Sequence, residues 1–105
     1  MELLEDKMRV WISSAAFVKP NSAVYVFYNR KKDPIYIGDT TNLEKTFSEY
    51  IDTDFKENEC KQKTQFYQRE FVENPKERQL QLIEEFQKET GNMPICNAEI
   101  QIETR

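Results

Sequence analysis

The chain has 105 residues, 38% of them hydrophobic and 32% charged, with no His and a net charge of −4. That length holds one core of ordinary size and not two, and seven Phe, five Tyr and one Trp make the chain too aromatic to stay unfolded. Without His, Ser-His-Asp and Cys-His catalysis and the usual zinc constellations are excluded, so any chemistry falls to Tyr, carboxylates, Lys and Arg.

Taken in chain order, residues 2 to 17 space Leu3, Leu4, Met8, Trp11, Ile12 and Phe17 among charges in a way that predicts a short amphipathic helix, then an irregular stretch to Pro20. Residues 1–21 form an N-terminal helical extension on this reading. The run from Ala23 to Tyr28 is a strand by its β-branched and aromatic content. Asn29 to Pro34 supplies turn residues, and Ile35-Tyr36-Ile37 returns as the second strand of a hairpin. Gly38 ends it. Thr41-Asn42-Leu43-Glu44 fits a capping box with Thr41 as N-cap, opening a helix to about Tyr50.

A polar loop from Ile51 to about Lys63 leads to a third strand between Thr64 and Val72. Asn74, Pro75 and Glu77 then fill the N-cap, first and third positions of another helix, each suited to its unpaired backbone N–H groups. Leu82, Ile83 and Phe86 form the apolar stripe of that helix, flanked by Leu80, and Gly91 stops it near Thr90. Met93 to Asn97 crosses back over the surface, and residues 98–105 form an extended tail in which Ile100 and Ile102 alternate. The sum is an α+β domain at residues 22–97, a three-stranded antiparallel sheet flanked by helices.

No apolar run reaches the roughly 20 residues of a membrane span, and the first residues lack the order of a secretion signal, so the expected setting is cytoplasmic, with no membrane partner. Cys60 and Cys96 lack CxxC spacing and are expected to be reduced thiols. The negative net charge repels nucleic acid over the whole surface, while Arg30-Lys31-Lys32 could attract a phosphate locally; the same cluster also reads as a solvated turn.

The order hairpin, helix, strand, helix, Pro-x-x-Asn resembles the GIY-YIG nuclease domain over about residues 22 to 97. Its first signature stands as Ala23-Val24-Tyr25, with Ala for the family's Gly, and its second as Tyr36-Ile37-Gly38, followed by Thr41-Asn42-Leu43. The tyrosines lie eleven residues apart, and Pro94-Ile95-Cys96-Asn97 closes the pattern. The resemblance implies metal-assisted phosphodiester hydrolysis, with a tyrosine deprotonating water, a helix Arg steadying phosphate, and a Glu holding one divalent ion, Mg²⁺ or Mn²⁺. A phenol ionises near pH 10, so it needs a positive neighbour to act as a base at neutral pH. A hard ion takes oxygen ligands, often only one or two from protein.

Carried over by position, Tyr25 and Tyr36 match the signature tyrosines, Tyr50 the helix-end aromatic, and Asn97 the final Asn. The Arg position holds Thr46, and Lys45 beside it points about 100° around the helix. Matching the apolar stripe places Gln79 at the metal-ligand position, with Glu77, Glu84 and Glu85 as alternative carboxylates and Arg30, Lys31, Lys32 and Lys45 as candidate phosphate contacts. Each tyrosine also reads as a sheet-face packing residue, Asn97 as a loop hydrogen-bonder, and the charges from Lys76 to Glu89 as a solvated face. Two functions follow: a nuclease-like hydrolase acting on DNA, or an inactive domain that keeps the fold as a binding or scaffold module for protein or nucleic acid.

Overall fold

A computed structural model describes residues 2–98. Its sheet has four antiparallel strands, β1 (Arg9–Val10), β2 (Ala23–Tyr28), β3 (Pro34–Thr40) and β4 (Phe66–Phe71), in the order β1-β4-β2-β3. The α+β class holds, with one strand more than the three predicted: β1 is two residues long and presents no alternation for a sequence pattern to reveal. Strand β2 is central and buried at every position, as its unbroken Val, Phe and Tyr content requires.

The N-terminal segment differs from the helix predicted for it. Helical backbone is confined to α1 (Trp11–Ser14) and a 3₁₀ turn at Ala15–Phe17. The residues before β1 are held against the sheet by the fully buried Gln68 side chain. Its Oε1 accepts from Leu4 N (3.2 Å), and its Nε2 donates to the Leu4 carbonyl (3.1 Å). Asp6 ties the same segment to β4 through Arg69 (3.3 Å) and also meets Arg9 (3.1 Å). Burial alone would raise the Asp6 carboxyl; the hydrogen bonds and charges of Arg9 and Arg69 hold it below its ordinary value.

Two apolar clusters sandwich the sheet. On one face Tyr25, Phe27 and Tyr67 pack against Leu43, Phe47 and Tyr50 of α2 (Leu43–Thr53), with Trp11 and Phe55 closing an aromatic core. On the other, Val24, Val26, Tyr28 and Ile37 meet Leu4 and Leu82, the latter on α3 (Pro75–Thr90). The cap of α2 is Asn42 rather than Thr41, its side chain accepting from Lys45 N at 3.0 Å. Helix α3 starts at Pro75 as predicted, but Asn74 makes no side-chain cap bond. Gly91 ends it in the left-handed conformation (φ 79°) that glycine adopts freely.

The predicted polar loop after α2 is a built turn. Asp54, Phe55, Lys56 and Glu57 all have φ between 50° and 60°, and the turn drops Phe55 into the aromatic core 4.9 Å from Trp11. Beyond it, Cys60 is bonded to Cys96 in a disulfide spanning 36 residues, not reduced as the sequence reading expects. Cys96 and Asn97 are buried and lie in a helical turn beginning at Ile95, so this segment enters the domain rather than crossing its surface. The tail predicted at 98–105 lies, beyond Ala98, outside the described residues. Among the described residues no helix is long and apolar enough to cross a membrane.

Candidate functional site

Strand pairing sets Tyr25 opposite Gly38 on the α2 face of the sheet. The end of the Tyr25 ring lies across Gly38, where an added Cβ would come within 3.0 Å of two ring carbons and the hydroxyl oxygen, so the glycine is what lets the tyrosine lie there. Tyr50, one turn beyond Phe47 on the inner face of α2, brings its hydroxyl 3.3 Å from that of Tyr25. Tyr36 stands at the cluster's outer side, half-buried, its ring centroid 6.1 Å from that of Tyr25. The structure brings these three tyrosines together, with Tyr25 in the core and Tyr36 alone of them lining the cavity against α3.

A fourth member was not foreseen. Lys61, only 8% exposed, donates from Nζ to the Tyr50 hydroxyl at 3.1 Å and lies 4.1 Å from the centroid of the Tyr36 ring. It sits in a 3₁₀ turn (Lys61–Lys63) after the left-handed segment, where no periodicity marks a buried position. Its sequence signal was its place beside Cys60, which the disulfide draws inward.

Burial, and then the proximity of Tyr50 and Tyr36, pushes the Tyr25 phenol well above its ordinary value. Burial likewise raises Tyr36, helped by Tyr50 and by the Asp39 carboxylate. Both stay phenols at neutral pH.

Helix α3 approaches from the opposite side of β3, the free edge of the sheet. The Asn97 side chain caps that edge like a neighbouring strand: Oδ1 accepts from Ile37 N at 2.8 Å and Nδ2 donates to the Ile37 carbonyl at 2.9 Å. Gln79, also buried, donates from Nε2 to the same carbonyl at 2.9 Å, while its Oε1 accepts from the Lys76 ammonium at 3.0 Å. Lys76 in turn stands 4.0 Å from Asp39. Tyr36, Asp39, Lys76, Gln79, Ile83 and Asn97 help to line one open cavity of about 400 Å³.

Of the candidates on α3, Gln79 is the one that faces inward. The alternative carboxylates Glu77, Glu84 and Glu85 are exposed and none lines the cavity; Glu84 pairs instead with Lys88 at 3.2 Å. Thr46, at the Arg position, is tied to the Thr40 hydroxyl at 2.6 Å. Lys45 is exposed on α2. Arg30, Lys31 and Lys32 occupy the hairpin turn; Arg30 and Lys31 border a separate cavity of about 420 Å³, and Lys32 covers Phe66.

A divalent ion does not fit the donors at Gln79. The amide nitrogen faces a carbonyl, the amide oxygen faces an ammonium, and the described residues contain no group of three His, Cys, Asp or Glu able to hold a metal.

A hairpin carrying two cross-strand tyrosine positions, a helix returning a third, and a second helix with a closing Asn at the sheet edge define the architecture of the GIY-YIG nuclease domain. The sequence matches the GIY-YIG catalytic domain over residues 21–94, and the chain belongs to that family. No curated protein matches it.

Proposed function

We propose that this GIY-YIG domain is a binding module that uses the groove of its fold without metal-dependent hydrolysis. The observation that carries the reading is the orientation of Gln79. Both ends of its amide are engaged within the protein, and the Lys76 ammonium supplies the positive charge beside it. A neutral amide is a poor sole protein ligand for Mg²⁺ or Mn²⁺, and Asp39, the carboxylate in the cavity, already faces Lys76. Thr46 offers no charge to a phosphate, and the raised phenols of Tyr25 and Tyr36 are weakly disposed to take a proton from water.

Metal-dependent cleavage of DNA by a tyrosine base is the second reading, favoured by Lys61, which puts a positive charge against Tyr50 and Tyr36. Incubation with nicked, branched and single-stranded DNA in Mg²⁺ or Mn²⁺ separates the two. The binding reading expects no cleavage above a Tyr36→Phe control. Cleavage that needs both the metal and Tyr36 would overturn it.

A further inference from the structure

Ile12 and Phe17 are left 92% and 84% exposed, although Trp11, Ala15 and Val18 around them pack into the aromatic core. An isolated exposed apolar residue needs no explanation, but these two border a hole. A groove of about 210 Å³ lies between the α1 segment and the end of α2, lined mainly by Trp11, Ile12, Ala16, Ile51 and Phe55, with Asp54 as its one charge. Phe17 follows directly on Ala16. The groove shares no lining residue with the cavity at Tyr36, so what this face does is independent of the binding reading given for that cavity.

The charges along the face are ordered. Lys19 is held at the start of α2, where its carbonyl accepts from Glu44 N at 3.2 Å, and Asp54 caps the other end of the same helix. The 11 residues of α2 set these ends about 16 Å apart. At the start, Lys19 and Lys45 outnumber Glu44. At the end, Asp52 and Asp54 enter no ion pair among the described residues, and the Lys56 ammonium is taken by Glu49 at 3.7 Å.

We propose that this face binds a second copy of the chain about a two-fold axis that sets the two α2 helices antiparallel. In such a pair each surface meets itself, so one face must carry both halves of every contact. This face does. It holds an exposed aromatic side chain, Phe17, and the apolar groove able to receive it, and it is positive at one end and negative at the other. Antiparallel pairing lays Lys19 of each copy over Asp54 of the other. A partner of unrelated sequence would call for only one half of these contacts. Each copy carries a net charge of −4, but at physiological salt that repulsion is screened beyond about 8 Å, while contacts within the face are not.

The test is sedimentation of the full chain at physiological salt over about 10 μM to 1 mM, which spans the affinities of a weak pair. The expected result is a reversible monomer–dimer equilibrium. Phe17→Ser should weaken it at least about tenfold, as loss of an aromatic anchor does, and should leave the monomer's melting temperature unchanged because Phe17 is exposed in the single chain. Charge exchange tests the antiparallel arrangement. Lys19→Glu and Asp54→Lys should each weaken self-association, and mixing the two variants should restore it, since every facing pair is then opposite in sign. Lys56 already holds the left-handed backbone that a lysine at position 54 would need. A chain that stays monomeric throughout overturns the proposal and assigns the face to a different protein. A dimer indifferent to Phe17→Ser, or charge variants that fail to associate on mixing, overturns it equally.

Discussion

Replacing a carboxylate by an amide changes what a side chain offers, from acceptors alone to one acceptor and one donor. Gln79 uses both, and its donor is spent on Ile37, a residue whose N–H is also held by Asn97. The edge of β3 is thus closed by two side-chain amides, those of Gln79 and Asn97. At the same scale Gly38 is required by the Tyr25 ring lying over it. Gly38→Ala forces that ring or the strand to move, and urea denaturation should show a loss of about 1–3 kcal/mol, the usual cost of overpacking. Unchanged stability would mean that Tyr25 is free to leave its place.

Among the elements, the turn from Asp54 to Lys61 does the least obvious work. Consecutive left-handed residues cost about 1–2 kcal/mol each, and burial of Phe55 among Trp11, Tyr50 and Phe27 offsets part of that. The Cys60–Cys96 bond then fastens the turn to the segment carrying Asn97, so two site residues adjoin the two half-cystines. Reduction, or Cys60→Ser with Cys96→Ser, should lower stability in urea by about 2–4 kcal/mol. If stability is the same with and without reductant, the bond does not constrain the turn. The hairpin, both long helices and the Gln79 register were legible because each has a strong local signal: aromatic strands, a Pro75 start, a Gly91 stop and a stripe through Leu82 and Phe86. Strand β1 was too short to read, Asn42 competed with Thr41 for one cap, and Lys61 and the cysteines meet through contacts far apart in sequence.

Over the whole molecule, a net charge of −4 accompanies a cavity whose lining charges are Lys76 and Asp39. Such a surface gives little general attraction for polyanions, so recognition would depend on the local site rather than on the overall field. The exposed cluster Arg30 to Lys32 lies in the hairpin turn, outside the residues lining the tyrosine cavity. Tyr25, Tyr36 and Gly38 maintain the family's hairpin through packing, whereas the proposed lack of hydrolysis rests on Thr46 and Gln79.

The central proposal, that Gln79 and Asp39 hold no divalent metal, is tested most directly by titrating Mn²⁺ into the isotope-labelled chain and following the Gln79 side-chain amide and the Asp39 backbone signal. The account predicts no saturable broadening at either, beyond that of exposed carboxylates such as Glu84 and Glu85. Selective loss of both signals at substoichiometric Mn²⁺ would contradict it.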